Sequence, residues 1–225
     1  MVETVEKAKP IDGLSYIESQ ATKLIADSMK KDPEKTIACM HKLLLQIDKI
    51  PSTNTTKIIK NNLTQKLTSI EKKIDEEKYL STIADTVSLF TDRPNKIPYG
   101  TWPWQLVCDQ FVKKVLTKIE PEKEKKDTIN SVYGTVNMFN KIAPKKTLTF
   151  NWSTLAGALP PIGSLIFFIN EKKCSHVGFF TWMEHGVPMI ADASLDGVSK
   201  RPLWPTEANT FYYEDNYREK FLKKI

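Results

Sequence analysis

Three residue types in this chain could together break an amide bond: a cysteine, a histidine and a carboxylate. Only three cysteines and three histidines are present, so the combinations are few. Cys108 lies in Val107-Cys-Asp-Gln-Phe-Val112, where a helical apolar spacing begins. His176 lies near the start of Cys174-Ser-His-Val-Gly-Phe-Phe-Thr-Trp182, and Asp192 sits inside Val187-Pro-Met-Ile-Ala-Asp-Ala-Ser194. A thiolate paired with an imidazole is the attacking species of covalent acyl transfer. A carboxylate behind the imidazole fixes its tautomer and orientation. Without a partner Cys108 would read as buried filler; His176 is what gives it a chemical role. Cys39 and His41 fall on an earlier helical segment with no matching ligands nearby and read as structural. His185, in Glu184-His-Gly186, reads as a hairpin-tip residue.

The elements around these residues must bring them together. Leu106, Val107, Phe111, Val115, Leu116 and Ile119 recur at helical spacing from about Trp104, and Pro103 limits where that helix begins. Cys108 therefore falls within about the first turn. There the unpaired N–H groups and the helix dipole stabilise a negative sulfur. Three short apolar runs, 161–170, 174–182 and 187–194, predict an antiparallel meander carrying His176 and Asp192. Residues 127–142 predict one helix, with Ile129, Val132, Val136, Phe139 and Ile142 as its stripe. Leu148 and Phe150 predict a short extended piece, and Thr210–Glu214 a last strand. Asn216 is placed to cap a short basic C-terminal helix.

Composition changes near residue 90. The first 90 residues hold one glycine (Gly13) and three aromatics, whereas all five tryptophans and the other seven glycines come later. The first part reads as all-helical. Leu14, Ile17, Ala21, Leu24, Ile25 and Ser28 form one stripe; Asp32-Pro33 starts a second helix with Ile37, Met40, Leu44 and Ile47. Pro51 ends it, and Ser52 or Thr53 caps a third helix carrying Ile59, Leu63, Leu67, Ile70 and Ile74. A fourth segment carries Tyr79, Leu80, Ile83, Val87 and Phe90. Residues 1–90 are thus a helical region acting as a cap or as a surface for a protein partner, and 91–225 a second domain.

Apolar residues make up 40% of the chain and charged residues 27%, ordinary values for a globular protein. No apolar run is long enough for a transmembrane helix, and residues 1–10 lack the apolar centre of a secretory signal. The expectation is a protein made in the cytoplasm, either acting there or leaving by a dedicated secretion system or by lysis. Net charge is +6, but the lysines interleave with acids, as in Glu120-Pro-Glu-Lys-Glu-Lys-Lys-Asp127. That pattern reads as a solvated face and gives no specific nucleic-acid partner. An odd, sparse set of cysteines argues against a disulfide framework, and no zinc-ligand spacing appears; no metal or other cofactor is expected.

Four pieces, in order, resemble the NlpC-type branch of papain-like thiol hydrolases, with the CHAP amidases as relatives. Pro98-Tyr-Gly100 resembles its lead-in, and Cys108-Asp-Gln-Phe-Val112 the start of its nucleophile helix. Gly163-Ser-Leu-Ile-Phe-Phe168 and Ser175-His-Val-Gly-Phe-Phe180 resemble two of its strands, the second bearing the catalytic histidine. The resemblance covers about residues 94–215 and departs from the family at Val107-Cys-Asp-Gln110, where the family has Asp-Cys-Ser-Gly. It implies an α+β fold in which the nucleophile helix packs on a small antiparallel sheet. It implies Cys108 as nucleophile, His176 as base, and a third polar residue at Asp192 or, on the other alignment, Ala191. It also implies Tyr99 at the site. Gln105, only three residues before the nucleophile, is a lesser candidate oxyanion donor, and Trp102 and Trp104 line the substrate groove or pack as core or lid. The implied activity is cleavage of a peptide or amide bond, typically in cell-wall peptides or by an exported effector. A deamidase or acyltransferase acting on protein, and a non-catalytic binding module of the same fold, are the alternatives.

Overall fold

Neither glycine nor proline interrupts residues 52–91, and one helix runs through almost all of that stretch. The computed structural model describes residues 19, 23, 33–50, 52–101, 105–148, 159–204, 207–208 and 210–223. The stripe expected over 14–28, together with Trp102, Trp104 and Phe150, lies outside the described residues, apart from the backbone at Ser19 and Lys23. Helix α1 spans Pro33–Ile47 and α2 spans Asn54–Thr91. The third and fourth helical segments expected from the sequence are therefore one helix, because nothing between them breaks the hydrogen-bond ladder.

The chain divides into two compact units, Met1–Asp75 and Glu76–Ile225. The composition change falls near residue 90; the division falls earlier, inside α2. In the first unit Met40, Leu43 and Ile47 of α1 pack with Ile59, Leu63 and Leu67 of α2. Thr53 and Thr56 cap the start of α2 reciprocally, each hydroxyl accepting the other's backbone N–H at 3.2 and 2.7 Å. His41 pairs with Glu71 at 3.3 Å on an exposed surface.

The second unit is α+β. Among its described residues, helices α3 (Cys108–Ile119), α4 (Lys123–Asn130), α5 (Thr135–Ile142) and α6 (Tyr217–Leu222) accompany six strands. These are β1 (Lys146–Leu148), β2 (Leu165–Asn170), β3 (Lys173–Glu184), β4 (Val187–Ser194), β5 (Gly197–Pro202) and β6 (Thr210–Glu214). They form one antiparallel sheet in the order β1-β6-β2-β3-β4-β5. Strand β5 was not expected from the sequence, since Gly-Val-Ser-Lys-Arg-Pro has little strand character. The single helix expected over 127–142 is two, α4 and α5. Gly134 between them takes φ +78°, a conformation that leaves the right-handed helix, and its N–H donates to Asp109 Oδ2 at 3.0 Å.

Alternation along the strands sends side chains into two cores. Leu165, Phe167, Val177, Phe179, Ala191, Ala193 and Val198 pack with Phe111, Val112 and Val115 of α3 and with Leu80, Ile83 and Val87 of α2. Ile166, Phe168, Phe180, Ile190, Leu203 and Phe211 form the core of the other face. A buried carboxylate closes the far end of α3: Glu120 takes both Arg218 Nε at 2.7 Å and Nη2 at 3.1 Å.

Candidate active site

Cys108 is the first residue of α3, and the residue at the cap, Val107, has no side-chain oxygen to accept a first-turn N–H. The positive end of the helix is therefore left to whatever sits beside the thiol. Asp109 is the acid nearest in sequence, but its Oδ2 is engaged by the Gly134 N–H and by Lys113 Nζ at 3.5 Å. The segment before the helix is pinned. Tyr99 and Leu106 form a bridge, the Leu106 N–H donates to the Pro98 carbonyl at 3.0 Å, and the Val198 N–H of β5 donates to the Ile97 carbonyl at 2.8 Å.

His176 is delivered by an irregularity in β3. Phe168 of β2 faces His176, but the next residue, Ile169, faces Cys174, so Ser175 is an extra residue in the ladder. The bulge breaks the alternation. Cys174 joins Val177 in the helix-side core, while His176 lies edge-on to Phe168 with ring centroids 5.0 Å apart. Bulges re-aim side chains in this way beside functional sites.

Asp192 stands on the neighbouring strand with its carboxylate fully buried, and its Oδ2 is 2.7 Å from His176 Nε2. Of the two alignments, the geometry therefore puts Asp192 rather than Ala191 on the imidazole; Ala191 packs in the helix-side core. Gly178, two residues after His176, makes room for this contact. A Cβ there would lie 2.9 Å from Asp192 Cβ and 2.7 Å from the Ala191 carbonyl oxygen, closer than such atoms approach.

With Nε2 committed to Asp192, Nδ1 is the imidazole nitrogen left for the thiol, and the Cys108 side chain lies within interaction range of the ring. Burial pulls the imidazole pKa down, but the hydrogen bond to Asp192 and then the Cys108 side chain outweigh it, raising it to about 9. The buried carboxylate and the Cys108 side chain thus both favour the charged form of the ring. Cys174 is a different case: burial pushes its thiol up to about 12, leaving it a poor nucleophile.

A cleft of about 250 Å³ opens beside the histidine, lined by Tyr99, Phe168, His176, Ser194, Arg201 and Glu207 among others. Tyr99 thus shares a cleft with the histidine. Gln105 does not: its side chain folds under Gly100 and lines a second groove along α3 with Gln110, Lys113 and Tyr133. His185 sits at the β3–β4 hairpin tip with Gly186, both at positive φ, as expected for a two-residue turn. Among the described residues no group of three or more histidine, cysteine or acidic side chains could hold a metal ion. Among the described residues no helix is long and apolar enough to cross a membrane.

One residue of the candidate site is not among those expected from the sequence. Arg201 on β5 grips Asp192 with Nε at 3.2 and 3.0 Å from Oδ1 and Oδ2, and with Nη2 at 2.6 Å from Oδ2. The signal that could have found it is Asp196-Gly197, which marks a hairpin turn. With Leu195-Asp196 as the loop and Ser194 paired with Gly197, counting back along both arms sets Arg201 opposite Ile190, one diagonal step from Asp192.

No protein-family model, no curated protein and no solved structure matches this chain.

Proposed function

We propose that the chain is a cysteine hydrolase that cleaves a peptide or amide bond through a thioester, with Cys108, His176 and Asp192 as its triad. The observation that carries this reading is one constellation: a cysteine opening a helix whose cap residue has no side-chain oxygen, interacting with an imidazole whose Nε2 is 2.7 Å from a buried carboxylate. Cys108 Sγ attacks the carbonyl carbon, and the tetrahedral oxyanion takes the Cys108 backbone N–H, with the Tyr99 hydroxyl as a second donor. The imidazolium then gives its proton to the departing amine. His176, now neutral, draws a proton from water, and the hydroxide so formed releases the acyl group as a carboxylic acid. Asp192 keeps the ring oriented through both steps. The four sequence pieces that resemble NlpC-type hydrolases support a papain-like arrangement and peptide substrates, cell-wall peptides among them. Hydrolysis, deamidation and acyl transfer share every step up to the thioester.

One observation favours a second reading, a non-catalytic binding module of the same fold: Cys108 keeps only 7% of its surface exposed. Alkylation by iodoacetamide, followed on the Cys108 peptide by mass spectrometry, separates the two. A hydrolase labels rapidly near neutral pH, and His176→Ala slows labelling by about a hundredfold or more. The preference for anionic iodoacetate over neutral iodoacetamide should also fall as pH rises through about 9, where the imidazolium that attracts the anion is lost. Slow labelling indifferent to His176→Ala would sink the hydrolase and leave the binding module.

A further inference from the structure

Asp192 is completely buried, and a carboxylate there needs donors for both oxygens. His176 serves only Oδ2. The donor on Oδ1 is Arg201 Nε at 3.2 Å, and the same guanidinium adds two contacts to Oδ2. Arg201 is itself braced. Its Nη1 donates to Glu207 Oε2 at 2.7 Å and to the Pro202 carbonyl at 3.1 Å, while Glu207 Oε1 accepts the Trp204 N–H at 2.7 Å. The planar fork fixes the carboxylate's angle as well as its charge, which a single-point contact would not.

From this geometry we infer that Arg201, braced by Glu207, is a positioning residue of the site: it holds the Asp192 carboxylate in the orientation that supports the imidazolium of His176. The inference rests on the triad reading, but it makes a claim of its own about the histidine. Without Arg201, Oδ1 would lose the donor it has among the described residues. The carboxylate would take up a proton or turn towards another donor. Either way its hold on the imidazole weakens. The groups facing the His176–Asp192 pair are Cys108 from α3, Tyr99 from the segment before it, Arg201 from β5 and Glu207 from the connection after β5. A competing effect runs the other way, since removing a cation from beside a histidine raises its affinity for protons. The geometry decides for the first effect, because among the described residues Arg201 supplies three of the four contacts on the Asp192 carboxylate.

The imidazole titration of the full chain, read by long-range proton–nitrogen NMR, tests this without any substrate. His41→Gln and His185→Gln assign the His176 signal. The wild-type midpoint is expected near 9. In Arg201→Met it falls by about one to three units towards the ordinary histidine value. Arg201→Lys recovers part of the shift, and Glu207→Gln, which leaves the Arg201–Asp192 contacts in place, gives a smaller fall. An ordinary midpoint in the wild type overturns the inference. So does a folded Arg201→Met protein, verified by circular dichroism, whose midpoint is unchanged or raised. If Arg201→Met does not fold, Arg201→Lys decides: a midpoint below the wild-type value supports the inference, because a single-point ammonium cannot hold both oxygens, and an unchanged or raised midpoint overturns it. Failure of the hydrolase reading is visible separately, as thiol labelling indifferent to His176.

Discussion

Two buried carboxylates of the second unit are built alike and do different things. Glu120 and Asp192 are both completely shielded from solvent, and each is gripped by an arginine fork, Arg218 for one and Arg201 for the other. Around Glu120 the remaining neighbour is an aromatic ring: Arg218 stacks over Tyr79 at 4.8 Å from its centroid. Burial, then the nearby Glu120, push the Tyr79 hydroxyl far above its ordinary value, so it stays neutral. That cluster is a rivet between the end of α3, α6 and α2. Around Asp192 the remaining neighbour is a histidine, whose pKa, against the pull of burial, the carboxylate and the Cys108 side chain raise to about 9. An arginine–carboxylate pair thus says little about function by itself; the third partner decides whether it is a clamp or part of a site.

Breaking each carboxylate in turn makes the sharpest contrast. Asp192→Asn should slow Cys108 alkylation by about a hundredfold or more, because the amide no longer supports an imidazolium. Glu120→Gln should leave the alkylation rate of folded molecules unchanged. It should lower stability by about 3 kcal/mol in urea unfolding, towards the low end for a broken buried pair because Arg218 stays partly in water. Equal effects of the two substitutions on thiol reactivity would dissolve the distinction.

Gly178→Ala probes the same site through space alone. Its new Cβ would press on Asp192 Cβ and the Ala191 carbonyl, costing about 1–3 kcal/mol and slowing alkylation several-fold as Asp192 is displaced from His176. Loss of stability with alkylation untouched would show that the carboxylate tolerates the shift. The smallest effect is expected at the hairpin tip. His185→Asn keeps a residue that tolerates positive φ and should change stability by less than about 0.5 kcal/mol, with no change in alkylation.

Much of the fold was legible because local rules were enough. The alternating runs at 165–170, 173–184, 187–194 and 210–214 are strands, and the apolar spacing after Cys108 is a helix beginning at that residue. Thr53 caps α2 through its hydroxyl, as its residue type allows. The failures were also local. Val132 and Val136 continued a helical spacing that Gly134 interrupts, and an unbroken run from 54 to 91 carried two stripes on one helix. Asn216 occupies the cap position of α6 but makes no side-chain cap bond.

What the sequence determined by itself was the chemical inventory and its carriers: a cysteine at a helix start, a histidine and an aspartate on successive strands. Those follow from side-chain periodicity, which is a property of neighbouring residues. Tertiary structure alone decided the register. A single extra residue at Ser175 sets which face His176 occupies, the absent side chain at Gly178 lets Asp192 approach it, and a charged strand ending in proline brings Arg201 to the carboxylate. A one-residue slip in any of these pairings would reverse the faces, and no local preference along the chain encodes that choice. Only the joint packing of the two cores fixes it.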